Sequence, residues 1–91
     1  MSLSPPQDDQ LPRPDRATLR QILLDHRRFV TNQPGGRRAL LASHDLSDQD
    51  MSGSNLTEAD LTGAVMHRTL LSGAILRKVT LYGADLRLAN L

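Results

Sequence analysis

The chain has 91 residues, with 11 Lys and Arg against 10 Asp and Glu, and it contains neither cysteine nor tryptophan. That length suits one domain rather than two independent cores. The missing cysteines exclude a disulfide framework, a thiolate metal site and a cysteine nucleophile. Apolar runs of a few residues are too short to cross a bilayer.

Hydrophobic residues make up 38% of the chain but aromatic ones only 2%. Burial must therefore come from many small aliphatic side chains stacked regularly, because the large aromatic contributors are missing. Residues 1–38 carry seven Arg against four Asp, or +3; residues 39–91 carry four Lys and Arg against six Asp and Glu, or −2. The opening MSLSPPQDDQ has no basic region followed by an apolar one, so a secretory signal is not expected and a cytoplasmic location is.

Residues 1–14 are rich in Pro, Gln, Asp and Ser, too polar to offset the entropy of ordering, and are expected to form a flexible tail. Residues 15–38 form a second unit. Over 15–31, Leu19, Ile22, Leu23, His26, Phe29 and Val30 recur at helical spacing, while Arg20, Asp25, Arg27 and Arg28 occupy other faces. Thr18 and Gln21 fit a capping box, and Asp15 offers an earlier start. Asn32 to Gly36, with Pro34 and two glycines, ends the helix.

Over residues 39–91 the period changes to five. Leu41, Leu46, Met51, Leu56, Leu61, Met66, Leu71, Leu76, Leu81, Leu86 and Leu91 fall on every fifth position without a miss. A second register lies two residues earlier and is mostly small: Ala39, His44, Gln49, Ser54, Ala59, Ala64, Thr69, Ala74, Val79, Ala84 and Ala89. Two locked registers call for a repeat architecture. Five matches neither the helical period nor the strand period, but it suits a short extended segment followed by a tight turn. In such a segment residues two apart point the same way, so both registers face inward. Ala59, Ala64, Ala74, Ala84 and Ala89 then let the backbone approach the axis, and the Leu and Met centres fill the middle.

Four units with right-angle corners close a circuit of 20 residues. The expected fold is mainly β: a quadrilateral parallel β-helix of about two and a half coils, capped at its start by the α-helix. Gly53, Gly63, Gly73 and Gly83 stand two residues after alternate centres, which predicts turns with positive φ at two opposite corners. The other corners carry Asp48, Glu58, Arg68, Lys78 and Leu88, so Asp48 should pair with Arg68, and Glu58 with Lys78, one coil apart. His44 and Gln49 break the small register in the first coil, which is expected to be an irregular bottom layer whose polar groups meet backbone or solvent. His67 should point outward beside Arg87.

Ala59-Asp-Leu-Thr-Gly63, Ala84-Asp-Leu-Arg-Leu88 and Ala89-Asn-Leu91 resemble the A(D/N)LXX unit of pentapeptide-repeat proteins. Leu23 to Phe29 followed by Gly36-Arg-Arg-Ala39 is similar to the helix-plus-glycine lead-in of some such arrays. The resemblance implies a right-handed β-helix with no catalytic role and no cofactor. It also implies an alternative function, since some members mimic DNA with long, strongly acidic rods and protect type II topoisomerases. Val65, Leu70 and Ile75 occupy the outward position where Asp or Asn is usual. With Leu88 they form a candidate interaction surface for an unidentified protein. The array stops in mid-unit at Leu91 with no cap visible, so a fragment of a longer array, or a homodimer through the uncapped end if the chain is complete, is expected.

Other chemistry finds little support. Asp48 to Gly53 resembles half a calcium loop, but Glu58 falls one residue early and no helices flank it. His26, His44 and His67 have no metal-ligand spacing, and Pro34-Gly-Gly lacks the lysine of a phosphate loop. No acid–base–nucleophile set is present, so catalysis is not expected. Arg16, Arg20, Arg27, Arg28, Arg37 and Arg38 form a basic cluster without interleaved aromatics, so a nucleic-acid partner is not expected either.

Overall fold

The computed structural model describes residues 11–91. Residues 1–10, most of the expected tail, lie outside the described residues. Helix α1 spans Arg16–Val30. Asp15 is its N-cap, its carboxylate accepting the Thr18 N–H at 2.7 Å, so the earlier start prevails over the capping box. Arg27 and Arg28 lie in the last turn, where cations complement the helix dipole. Asn32 follows with φ 61°, a left-handed conformation that Asn tolerates.

The chain then doubles back along α1. A Cβ added to Gly36 would lie 2.5 Å from the Phe29 nitrogen and 2.6 Å from its Cα, so the backbone passes where only glycine fits. The Arg37 N–H donates to the Asp25 carbonyl at 3.0 Å and holds this return path.

From Leu41 the backbone turns every five residues. Each centre's carbonyl accepts the N–H three residues on, from Leu41 and His44 to Leu86 and Ala89, ten turns in all. The third residue of every turn has φ between 55° and 72°, as a type II turn demands. The glycine spacing predicts this at two corners of the circuit; it occurs at all four. Six of the ten third residues are Ser43, Asp48, Glu58, Arg68, Lys78 and Leu88. Left-handed backbone costs such residues about 1–2 kcal/mol each, so packing between coils, not local preference, holds these corners.

Successive circuits stack with a period of 20. Parallel bridges join Leu40–Asp60–Thr80, Asp45–Val65–Asp85, Asp50–Leu70–Asn90 and Asn55–Ile75. Each unit from Leu41 to Met66 makes three backbone hydrogen bonds to the next circuit. Leu46 N–H donates to Val65 O at 2.7 Å, Asp48 N–H to His67 O at 3.0 Å, and Val65 N–H to His44 O at 2.9 Å. Because a turn intervenes every five residues, the pairing is one residue wide on each face and appears as isolated bridges rather than extended strands.

Leu41, Leu46, Met51, Leu56, Leu61 and Met66 are at most 1% exposed, and Leu71 is 3% exposed. Ala39, Ala59, Ala64 and Thr69 from the small register are buried beside them, with the Thr69 hydroxyl donating to Leu46 O at 2.8 Å. Burial then fades along the stack. Ala74, Leu76, Leu81, Ala84, Leu86 and Ala89 are only partly buried. Leu91, expected in the core, is 71% exposed. It belongs to the circuit of residues 72–91, over which no further circuit is stacked.

The opposite end is closed by α1, through Leu19 and His26 with Ile22 and Leu23 beside them. His26 is fully buried; its Nδ1 accepts the Ala39 N–H at 2.9 Å and its Nε2 donates to Thr57 O at 2.8 Å. Those partners fix the Nε2–H tautomer, since an amide can only donate and a carbonyl only accept. The remaining edge groups of the first circuit are met singly. His44 Nδ1 donates to Ala42 O at 2.8 Å, and Gln49 Nε2 to Pro14 O at 2.8 Å. The Asp45 N–H donates to Pro12 O at 2.8 Å, and an Arg13 guanidinium nitrogen to Ser47 O at 3.0 Å. The polar intruders His44 and Gln49 therefore meet backbone, as expected. Pro12, Arg13 and Pro14 are not tail, however: they cover one open backbone edge that a polar composition cannot reveal.

Candidate interaction surfaces

The face of the 72–91 circuit turned away from α1 presents an open backbone edge. The N–H groups of Leu76, Lys78, Leu81, Gly83, Leu86 and Leu88 and the carbonyls of Ala74, Val79 and Ala84 have no partner among the described residues. One circuit below, the equivalent groups are all paired. Around this edge stand Tyr82, 84% exposed, Leu88, 78% exposed, and Leu91. Apolar side chains thus ring this unpaired backbone.

The outward positions divide by residue type. Where Asp or Asn stands, its Oδ1 accepts the N–H two residues on, as Asp45 does from Ser47, Asp50 from Ser52, Asn55 from Thr57, Asp60 from Thr62 and Asp85 from Arg87. This side-chain turn braces the corner that follows. Leu70 and Ile75, which cannot do this, are 41% and 44% exposed on adjacent faces. Val65 does not join them. It is 5% exposed, flanked in its bridge column by Asp45, which binds Arg13, and Asp85, which binds His67 and Arg87. The candidate surface thus reduces to Leu70, Ile75 and Leu88, while Leu40 and Tyr82, which the repeat register also points outward, are exposed additions.

Charged side chains bind one another across circuits. Asp48 and Arg68 pair in two contacts, and Arg13 reaches the same Asp48 at 4.0 Å. The expected Glu58–Lys78 pair does not form among the described residues, and Arg38 donates to Glu58 O instead at 2.6 Å. His67 lies beside Arg87 as expected, its Nε2 2.7 Å from Asp85 Oδ2. Hydrogen bonds from Arg87, then from His67, hold the Asp85 carboxyl far below the ordinary carboxylate range. The Arg68 guanidinium likewise lowers Asp48, and the Thr62 hydroxyl and N–H lower Asp60. Partial burial pushes Asp45 up, but hydrogen bonds from Ser47, then the charge and hydrogen bond of Arg13, leave it lowered.

These assignments leave the calcium-like segment spoken for. Asp48 is paired with Arg68, and Asp50 braces its own turn. Among the described residues no three His, Asp or Glu side chains gather where a metal ion would sit, and no helix is long and apolar enough to cross a membrane.

The family model for pentapeptide repeats matches with eight copies, over residues 37–68 and 54–91. Together the two spans cover 37–91, well over half of the chain. A search of the curated proteins returns no match.

Proposed function

The chain belongs to the pentapeptide-repeat family, and from that premise we propose that residues 39–91 wind as a right-handed quadrilateral β-helix and serve as a non-catalytic, self-associating protein-binding scaffold. Four turns in every 20 residues and parallel bridges at that period support the winding. The ion pairs and turn hydrogen bonds that hold most charged repeat side chains support a structural rather than catalytic role for them.

For a chain that ends at Leu91, self-association rests on one observation, the open edge of the 72–91 circuit; in a longer array the same edge would carry the next circuit. That edge offers both donors and acceptors. A surface bearing both can pair with a second copy of itself about a two-fold axis, the commonest arrangement of soluble dimers. Pairing would cover Leu86, Leu88 and Leu91 at the same time.

Light scattering on the 91-residue chain tests this. The expected mass is twice that of one chain at micromolar concentration, falling to one chain for the Leu88→Glu, Leu91→Glu double variant. A monomer up to about 100 µM would remove the dimer reading.

A further inference from the structure

We propose that the groove between α1 and the adjoining face of the coils is a docking site for an acidic amphipathic helix of a partner protein. The groove has a volume of about 540 Å³. Leu23, Leu24 and Ile75 supply its apolar surface, and Arg20 and Arg27 its charge.

Leu24 is 42% exposed and Ile75 44%, although they come from elements 45 or more residues apart in sequence and face the same groove. On α1, Arg20 and Arg27 are seven residues apart, two helical turns, so their side chains lie on one stripe about 10 Å apart. Leu23 and Leu24 fall between them, three and four residues after Arg20. The coil wall, Ser52 to Asn55, brings no charge into this stretch. Neither Arg20 nor Arg27 has an ion-pair partner among the described residues. By contrast Arg13, Arg28 and Arg68 are all paired. Toward the start of α1 a separate cavity is lined by Arg16 and Asp50, residues of opposite charge that form no ion pair.

Two unpaired guanidiniums bracketing an apolar floor match one chemistry. The complement is a helix with carboxylates seven residues apart and leucine-like side chains between them, which packs its apolar stripe against α1 and Ile75. The guanidiniums select acidic partners and orient them. Extended nucleic acid fits less well, because the floor is aliphatic and offers no aromatic platform for bases. This inference rests on the protein-binding reading; its charged wall, α1, closes the end of the stack opposite the open edge, and only Ile75 comes from the 72–91 circuit.

The probe is a fluorescein-labelled synthetic helix of about four turns, Ala- and Gln-based, with two Glu seven residues apart enclosing two Leu. Fluorescence polarisation should give saturable binding that weakens with salt. The Arg20→Glu, Arg27→Glu double variant should bind at least about tenfold more weakly, and Ile75→Ser should also weaken it. A peptide with Lys replacing both Glu should bind the reversed variant and not the wild type. Circular dichroism and light scattering on each variant confirm that fold and mass are kept. A wild-type chain of unchanged mass that fails to bind the peptide, or binds it no better than the reversed variant does, overturns the groove while leaving the end-to-end reading in place. Equal binding to anionic vesicles or single-stranded DNA, abolished by the same arginine reversals, overturns it in favour of a general anion site.

Discussion

Asp48 and Arg68 are 20 residues apart in sequence and one circuit apart in space, with Nε 2.7 Å from Oδ1 and the second nitrogen 3.0 Å from Oδ2. Both sit at third positions of turns with positive φ. Two strained corners are thus stacked directly and tied by a bidentate ion pair. Glu58 and Lys78 are stacked in the same way two corners further on, yet form no ion pair within 4.0 Å.

A pair of double-mutant cycles should separate the two. Replacing Asp48 and Arg68 by Ala, singly and together, should show favourable coupling in thermal unfolding at low salt. That coupling should shrink at roughly 1 M salt, where the screening length is only about 3 Å. The Glu58–Lys78 cycle should show none at either salt. Equal coupling in both cycles would mean that charge stacking at corners is generic rather than set by the fork geometry of arginine.

His26 gives a sharper case, because it satisfies two main-chain groups at once inside the seam between α1 and the first circuit. His26→Ala strands the Ala39 N–H and the Thr57 carbonyl, and should cost about 2–5 kcal/mol in urea unfolding. Phe29 stacks on the same ring at 5.7 Å but is 36% exposed. Phe29→Ala should therefore cost clearly less than His26→Ala.

How much of this was readable beforehand follows from what each residue answers to. The centres and the small register obey a period, and a period is visible in sequence; hence the buried column from Leu41 to Leu71 and the Asp48–Arg68 stack. His26 answers to a carbonyl 31 residues away, and at helical spacing it looks like any other residue on an apolar face. Pro12 and Arg13 close a backbone edge, and Ser43 or Leu88 adopts left-handed backbone because neighbouring circuits impose it. None of these leaves a local mark. Val65 looked like an outward apolar residue because the register says which way a side chain points, not what lies over it.

The glycines separate steric from conformational causes. Gly53 has φ 70° and open space where a Cβ would go, so Gly53→Ala meets only the left-handed penalty of about 1 kcal/mol. Gly36 has no positive φ but has the Phe29 backbone 2.5 Å from that position. Gly36→Ala must push α1 away from the return path. It should cost more than Gly53→Ala in chemical denaturation, and also loosen α1, seen as faster amide exchange at Arg37. Equal costs would show that the path beside Phe29 yields.

Acid should unfold the protein through its aspartates. Asp15, Asp45, Asp48, Asp50, Asp60 and Asp85 all have carboxyls lowered in the folded state. A group with a depressed folded pKa stabilises above its unfolded pKa, about 3.9, and loses that contribution as pH falls through the folded value. The midpoint temperature should therefore be level above about pH 5 and fall steadily below about pH 4. Asp60→Asn keeps an Oδ1 acceptor for Thr62 but cannot be protonated, so it should make the decline shallower while giving up at neutral pH the small contribution of the charged carboxylate. An unchanged decline would place the acid sensitivity in other carboxyls.

The two ends of the core make the final contrast. Leu56 is fully buried in the first circuit, with α1 on one side and later circuits on the other. Leu56→Ala should cost about 2–5 kcal/mol at any protein concentration. Leu86 occupies the same register but lies only partly buried in the 72–91 circuit. In an isolated chain its truncation removes little buried area, so Leu86→Ala should cost well under half as much. If a second copy covers the open edge, Leu86 is buried by that contact. Its substitution then acts on association, lowering the midpoint temperature most under conditions where the wild type is dimeric and flattening its concentration dependence. Unfolding scans across a hundredfold range of concentration distinguish the two cases. A Leu86→Ala effect independent of concentration would show that no second copy covers the edge of the 91-residue chain.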